Sequence, residues 1–144
     1  MGHAPATVDD KGRLKVPADF RKVIEEKYGR DCFITSQDGE RALIYPLPVW
    51  YDFTERLARV PSSSLAKQKL LERVNYYGQA GTIDLQGRLL VPAVLRDVAA
   101  IKEDVVVLGS SDHLIVWNEG RIQKRLSESP MSPEDYKELE LHGV

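Results

Sequence analysis

An internal repeat constrains this chain more than any other feature. The stretch VDDKGRLKVPADFR at residues 8–21 returns as IDLQGRLLVPAVLR at residues 83–96. Aligned without gaps over 8–24 and 83–99, the copies are identical at 9 of 17 positions, namely Asp9/Asp84, Gly12/Gly87, Arg13/Arg88, Leu14/Leu89, Val16/Val91, Pro17/Pro92, Ala18/Ala93, Arg21/Arg96 and Val23/Val98. Because chance does not give such agreement, the repeat indicates two structurally equivalent halves.

Each copy predicts a short strand, a tight turn, a second strand and a helix. An Asp and a Gly stand first and fourth in the turn of both copies, as a type I turn prefers. In the RLKV and RLLV segments that follow, apolar and other residues alternate, so the arginines should point away from the core. The next proline suits the first helical position and predicts helices over 17–28 and 92–99.

The parallel between the halves continues beyond the copies. The remaining predicted elements are strands at 31–35, 41–45, 104–108 and 113–117 and helices at 46–59, 65–78, 119–126 and 132–141. We therefore expect an α+β fold with two β-rich halves related by a pseudo-two-fold repeat, plus linking and C-terminal helices. The expected boundaries are 1–60 for the first half, 61–80 for the connecting helix, and 81–144 for the second half with an acidic C-terminal helix.

Charge and composition exclude several classes of protein. The formal net charge of −2 argues against coating nucleic acid by bulk attraction, so any basic patch must be local. We expect no membrane span and no secretory signal, and therefore a cytoplasmic protein. The single cysteine, Cys32, has no partner for a disulfide or a metal and is expected to fill a strand.

The arginines that follow the two turns are the candidate binding groups. Arg13 and Arg88 each stand beside a tight turn on the expected solvent side, and Lys11 and Lys15 flank the first of them. Arginine is the commonest specific reader of guanine and a strong phosphate partner, which favours DNA binding. In the alternative interpretation, each arginine merely pairs with Asp9 or Asp84, which hold the turns.

Other residues remain ambiguous or are expected to be structural. Arg21 and Arg96, one turn into their helices, are possible phosphate contacts but are about equally compatible with ion pairs elsewhere. The aromatic residues follow core spacing and are expected to pack in the core or between subunits; they are Trp50, Tyr51, Phe53, Tyr76, Tyr77 and Trp117.

Signals for catalysis are weak. The GSSDH segment at 109–113 contains Ser, Asp and His, but G-x-S-x-G is absent and a hairpin turn explains it better. The three histidines lack ligand spacing, and the chain has no phosphate-binding glycine loop. We expect a protein that is not an enzyme and uses no cofactor, metal or small-molecule substrate.

The paired DDKGRLKVPADFR and DLQGRLLVPAVLR motifs, with VVVLGSSDHLIVW after the second, resemble the bacterial MraZ family, relatives of the AbrB-type swapped-hairpin DNA-binding proteins. The resemblance covers nearly the whole chain. It implies two AbrB/SpoVT-like halves, a homo-oligomeric ring, and sequence-specific binding to repeated promoter elements ahead of the cell division and cell wall gene cluster. In this family the D-x-x-G-R segments carry DNA binding, which transfers to Asp9, Gly12 and Arg13 and to Asp84, Gly87 and Arg88.

The resulting prediction is a nucleoid-associated transcriptional regulator whose partners are double-stranded DNA and further copies of itself. The DNA-binding set comprises Lys11, Arg13, Lys15, Gln86 and Arg88, and the turn-forming set comprises Asp9, Gly12, Asp84 and Gly87. Two alternatives use the same fold: an oligomeric scaffold for protein interactions, in which Arg13 and Arg88 pair with carboxylates between subunits, and an antitoxin-like regulator that also clamps a partner protein.

Overall fold

A computed structural model describes residues 2–144 as one mixed α+β structure. The strands are β1 (His3–Val8), β2 (Arg13–Lys15), β3 (Asp31–Thr35), β4 (Ala42–Pro46), β5 (Gln79–Thr82), β6 (Arg88–Leu90), β7 (Glu103–Gly109) and β8 (Leu114–Asn118). The helices are α1 (Ala18–Tyr28), α2 (Leu47–Ala58), α3 (Leu65–Tyr76), α4 (Ala93–Val98), α5 (Glu119–Glu128) and α6 (Pro133–Leu141).

All eight strands join one antiparallel sheet in the order β5-β3-β4-β8-β7-β1-β2-β6. The two terminal strands of this order, β5 and β6, are consecutive in the chain and lie in contact, joined by the turn at 84–87. The sheet therefore curls until its ends meet, which gives a nearly closed barrel.

Strands of the two halves are interleaved in the sheet, because the first strand of each half pairs with a strand of the other half. β1 pairs with β7 from His3↔Leu108 to Val8↔Glu103. Its counterpart β5 pairs with β3. At the centre of the symmetry β2 pairs with β6 and β4 pairs with β8. This interleaving confirms the predicted pseudo-two-fold α+β fold with two AbrB-like halves, while the boundaries at 60 and 80 stay a prediction.

The repeated apolar positions form the main core inside the curled sheet. Leu14 and Leu89 face each other across β2 and β6 and are 0% and 1% exposed. A second cluster lies between the β3–β4 face and the helix α2, where the rings of Phe33 and Trp50 stack with centroids 4.4 Å apart. Trp50 and Trp117 are buried as expected, whereas Tyr51 and Tyr76 are exposed. Cys32 fills β3, and burial raises the pKa of its thiol to about 12.

The helix boundaries correct one detail of the sequence prediction. Pro17 and Pro92 are the N-cap residues of α1 and α4 and not their first helical residues, because their ψ angles of 134° and 137° are extended. α1 ends at Tyr28, and the next residue, Gly29, has a φ of 88°, which glycine adopts without strain. α6 opens as predicted with a Ser132 cap and a proline in its first turn. Within residues 2–144, no helix combines the length and apolar character needed to cross a membrane.

Candidate nucleic-acid interface

Each D-x-x-G-R segment forms a turn that its own aspartate closes. Asp9 Oδ1 accepts hydrogen bonds from the backbone N–H groups of Lys11 (3.0 Å) and Arg13 (2.9 Å). The Gly12 N–H donates to the Asp9 carbonyl over 3.0 Å, and its φ of 84° needs a residue without a side chain. We name this segment, residues 9–13, turn 1. Turn 2, residues 84–88, repeats every one of these bonds.

Each of these aspartates also accepts a hydrogen bond from the Nε atom of the arginine in its own turn. Arg13 Nε donates to Asp9 Oδ2 over 2.8 Å, and Arg88 Nε donates to Asp84 Oδ2 over 3.2 Å. Among residues 2–144 the Nη atoms of both arginines make no hydrogen bond. With about a third of each side chain exposed, the two-nitrogen end of each guanidinium stays open to a ligand.

Electrostatics keep both turn carboxylates charged. The pKa of Asp9 lies below its usual value of 3.8, chiefly because the Arg13 backbone N–H bonds to the charged form, with the Arg13 side chain adding to the effect. The pKa of Asp84 is lowered in the same way by Arg88. The Asp–Arg pairs therefore persist at neutral pH, as the interpretation of these segments as structural turns also expects.

The two arginines lie on one face of a two-stranded ribbon. In the β2–β6 pairing Arg13 stands opposite Leu90, and Lys15 stands opposite Arg88. Residues directly opposite share a face, and diagonal neighbours such as Arg13 and Arg88 lie roughly 7–8 Å apart. The buried Leu14 and Leu89 point to the other face, so the outer face of the ribbon carries three cations and one exposed leucine.

The remaining predicted contacts lie at the ends of this ribbon. Lys15 Nζ donates to the Gln86 carbonyl and so ties the end of β2 to turn 2. Lys11 and Gln86 occupy equivalent exposed positions at the tips of turns 1 and 2. Each turn is also bonded to the strand of the other half, since Val91 N–H donates to the Gly12 carbonyl over 2.9 Å. The structure thus brings the five predicted DNA-binding residues onto one ribbon and its two turns.

Arg21 and Arg96 support the turns of the opposite half. A Cβ atom added at Gly12 would overlap the Arg96 guanidinium, and one added at Gly87 would overlap the guanidinium of Arg21. Each helix arginine therefore lies directly against the glycine of the turn that the other half contributes. Arg96 Nε is buried without a hydrogen-bond partner in residues 2–144.

Sequence reasoning missed this cross-half contact, although both its members are repeated. Gly12 and Arg21 recur as Gly87 and Arg96, but their spacing along the chain suggests no contact, because the contact joins residues of different copies. Leu85 stands at the tip of turn 2 where turn 1 has Asp10, and it is 83% exposed, so turn 2 is less polar than turn 1.

Comparison with known proteins agrees with the geometry of this site. A family profile described as "MraZ protein, putative antitoxin-like" matches residues 1–73 and 79–140. The protein named transcriptional regulator MraZ from Acidobacterium capsulatum is 46% identical over 143 residues, which covers 99% of this chain and 98% of the relative. The protein of the same name from Koribacter versatilis is 42% identical over 144 residues, with coverage of 99% and 98%. That from Leuconostoc citreum is 32% identical over 139 residues, covering 96% and 94%.

Two D-x-x-G-R turns in one ribbon, interleaved halves and a match along nearly the whole sequence lead to one conclusion: this chain belongs to the MraZ family.

Proposed function

We propose that this chain is a sequence-specific DNA-binding regulator of transcription. The ribbon β2–β6 carries the proposal, because both arginines point from one solvent-facing surface with their Nη atoms open. A two-stranded β-ribbon fits the major groove of B-DNA, and an arginine fork pairs with the O6 and N7 atoms of guanine. The relatives in this family that carry the name transcriptional regulator support the same function.

Local charge favours an anionic partner at this surface, although the net charge of the whole chain is −2. Lys15 and Arg88 stand directly opposite each other, and because like charges in this position repel, a bound phosphate would be favoured there. The ribbon and its two turns carry four bases, Lys11, Arg13, Lys15 and Arg88, against three acids, Asp9, Asp10 and Asp84. In this proposal Arg13 and Arg88 read base edges while Lys11, Lys15 and Gln86 contact phosphates or neighbouring bases.

The Asp–Arg pairs act in this proposal as holders of the arginines. Because each aspartate accepts only from Nε, it fixes the plane of the guanidinium and leaves the Nη edge for DNA. Arg21 and Arg96 then serve mainly to brace the turns, and their charge adds to the attraction for phosphate.

One ribbon is a small contact, so the proposed function includes several ribbons acting together. A homo-oligomeric ring that binds repeated promoter elements turns later contacts into intramolecular ones, and linked sites gain about 10²–10⁴ in avidity. The target elements are those ahead of the cell division and cell wall gene cluster that contains this protein's own gene, which places the protein in the cytoplasm on the nucleoid.

Replacing Arg13 by alanine tests the site. We expect Arg13→Ala to weaken binding to the DNA upstream of the protein's own gene by about 10- to 100-fold, since a bidentate arginine–guanine pair contributes about 1–3 kcal/mol per copy and several copies act together. The measurement is a mobility-shift titration at fixed salt, with the oligomer followed by light scattering.

Arg59→Ala is the matched control, because Arg59 follows α2 outside the ribbon and is exposed. Unchanged DNA affinity of Arg13→Ala with an intact oligomer would contradict the assignment. Loss of the oligomer on Arg13→Glu, with no loss of DNA binding per subunit, would instead support the scaffold alternative.

A further inference from the structure

The C-terminal helix α6 has no buried residue. Every residue from Pro133 to Val144 is exposed. α6 follows α5 after the four residues 129–132, in which Pro130 prevents α5 from continuing, yet it does not fold back on α5. It is therefore exposed along its whole length, and we call it the arm.

A helix of this length requires a partner surface. α6 has nine residues, and isolated helices shorter than about 12–15 residues are marginal in water. Its start is well formed, because Ser132 and Asp135 make a reciprocal capping box. Its apolar residues, however, are uncovered: Tyr136 is 57% exposed and Leu141 is 85% exposed.

One face of α6 combines negative charge with apolar surface. Glu134 and Glu138 are four residues apart and so lie on the same face, with Leu141 one turn beyond Glu138. The capping box occupies Asp135, but neither Glu134 nor Glu138 makes an ion pair with another residue in the described range 2–144. A surface that complements this face must offer cations beside apolar groups.

The groove along α5 has this character. Arg121, Lys124 and Arg125 recur at the spacing of one helix face and line a concave surface of about 390 Å³ together with Trp117, Glu40 and Glu128. Arg125 lies over the Trp117 ring at 5.5 Å and pairs with Glu40 at 3.8 Å, while Lys124 pairs with Glu128 at 3.9 Å. All four side chains are more than half exposed, and such ion pairs contribute little free energy, so both cations can exchange partners for another carboxylate. Three bases stand here against two acids.

Other concave surfaces suit an acidic helix less well. The surface beside turn 1 contains Asp9, Asp10, Asp97 and Glu103 against two bases, so it would repel α6. The surface along β1 and the start of α1 offers Lys15 against Asp104 and Glu119. The narrow groove beside α1 has a volume of about 130 Å³, which is too small to hold a helix face.

We propose that α6 of one copy docks in the α5 groove of a second copy of this chain. Glu134 and Glu138 then meet Lys124 and Arg125, and the apolar end of α6 covers Leu126, which is 68% exposed. The inference deepens the oligomeric part of the proposed function by naming the subunit contact, and it does not depend on which groups read DNA. Because the arm and the groove are different surfaces, the contact is heterologous and each copy can both give and receive an arm.

Charge reversal on either side tests the contact. An arm variant, Glu134→Lys with Glu138→Lys, and a groove variant, Lys124→Glu with Arg125→Glu, should each weaken self-association roughly 100-fold, since like charges then face each other across the interface. Mixing the two variants should restore assembly in alternating order, because each arm then meets a groove of opposite charge, and combining all four reversals in one chain should restore assembly for the same reason. Sedimentation velocity over a concentration series measures all of these masses, and circular dichroism verifies each fold.

Glu26→Lys with Glu55→Lys is the charge-matched control, because both glutamates are exposed on other helices; it should leave assembly unchanged. A wild-type chain that stays monomeric, or arm and groove variants that assemble like the wild type, would overturn the proposal. Failure of the DNA proposal is distinguishable: the arm variant keeps both arginines and should bind a single-element duplex as the wild type does, losing only the gain from repeated elements.

Discussion

The ion pair between Asp9 and Arg13 shows how one arginine can be both structural and available for binding. An exposed or half-exposed salt bridge contributes little free energy, typically up to about 1 kcal/mol, so it does not lock the guanidinium away from a stronger partner. The bond through Nε fixes the orientation of the side chain before DNA arrives, which lowers the entropy that binding must remove. The turn motif therefore fixes the orientation of its arginine while leaving the Nη atoms open to a ligand.

Acid should weaken both turns, and the direction follows from the lowered pKa values. The folded-state pKa values of Asp9 and Asp84 lie below 3.8, so their contribution to the free energy of unfolding is fully present above about pH 4 and is lost as the pH falls through the folded pKa. We expect the stability difference between the wild type and the variant Asp9→Asn with Asp84→Asn to shrink below pH 3.8. Urea unfolding at several pH values measures this difference.

Asp135 serves as the internal control for the acid experiment. The pKa of Asp135 is also lowered, by its backbone bond from Ser132, but Asp135 is present in both proteins and so leaves the difference between them unaffected. A stability difference that stays constant from pH 6 to below pH 3.8 would show that the charge of the turn aspartates does not matter.

At the scale of elements, the glycine of each turn is coupled to a helix of the other half. Gly12→Ala should destabilise the protein by about 1–3 kcal/mol, because alanine at φ 84° is strained and its Cβ displaces the Arg96 side chain. In an Arg96→Ala background only the strain remains, so we expect a coupling free energy of about 1 kcal/mol between the two positions. Urea unfolding of the four proteins of this double-mutant cycle gives the value.

The symmetry of the repeat supplies the control for this cycle. Arg21 lies against Gly87 and not against Gly12, so Gly12→Ala should lower stability equally in the wild type and in Arg21→Ala. Equal coupling of Gly12 to both arginines would mean that the contact with Arg96 is not what the cycle measures.

The sequence predicted the elements and the hairpins β3–β4 and β7–β8, but local patterns did not predict how strands of the two halves pair. Turn chemistry and the alternation of apolar residues are local, so the turns, β2, β6 and the two helices after them could be anticipated to within a few residues. The placement of Pro17 was one residue off because proline tolerates both the N-cap and the first helical position. Which strand lies beside which depends on contacts about 100 residues apart, and no local pattern encodes them.

The same limit applies to the site. That Arg13 and Arg88 share a face follows only from the pairing of β2 with β6, and the bracing by Arg21 and Arg96 follows only from the exchange of strands. The repeat and turn chemistry supplied the turn residues, and the family resemblance added the AbrB-like fold and the prediction that the turns bind DNA. The open Nη edges and the opposition of Lys15 and Arg88 required coordinates.

At the scale of the whole molecule, each half is incomplete without the other. Within the first half only the β1–β2 and β3–β4 pairs are internal, and each of its four strands also pairs with a strand of the second half. We expect residues 1–64 to be largely unfolded alone, and an equimolar mixture with residues 65–144 to regain strand content and cooperative unfolding, since a two-stranded hairpin is marginal in water. Circular dichroism and amide NMR spectra of the fragments and the mixture measure this.

Cooperative unfolding of either fragment by itself would instead support the predicted boundaries at 60 and 80 as the limits of independent domains. A cut after Glu72 provides a comparison, because it divides the helix α3 itself. It separates Val74, which is 2% exposed, from Leu70, and both residues belong to the cluster that packs on α2. A complex formed from these pieces should be less stable than one cut before α3.

The pairing of β1 with β7 also affects the order in which the protein can fold during its synthesis. While a ribosome is still translating the first half, β1 can pair only with β2, and its other edge stays unpaired until residues near 108 have emerged. At about 5–20 residues per second, this interval lasts roughly 5–20 s for about 100 residues. The fold around β1 is therefore completed only after β7 has been made, however early β1 and β2 form their own pair.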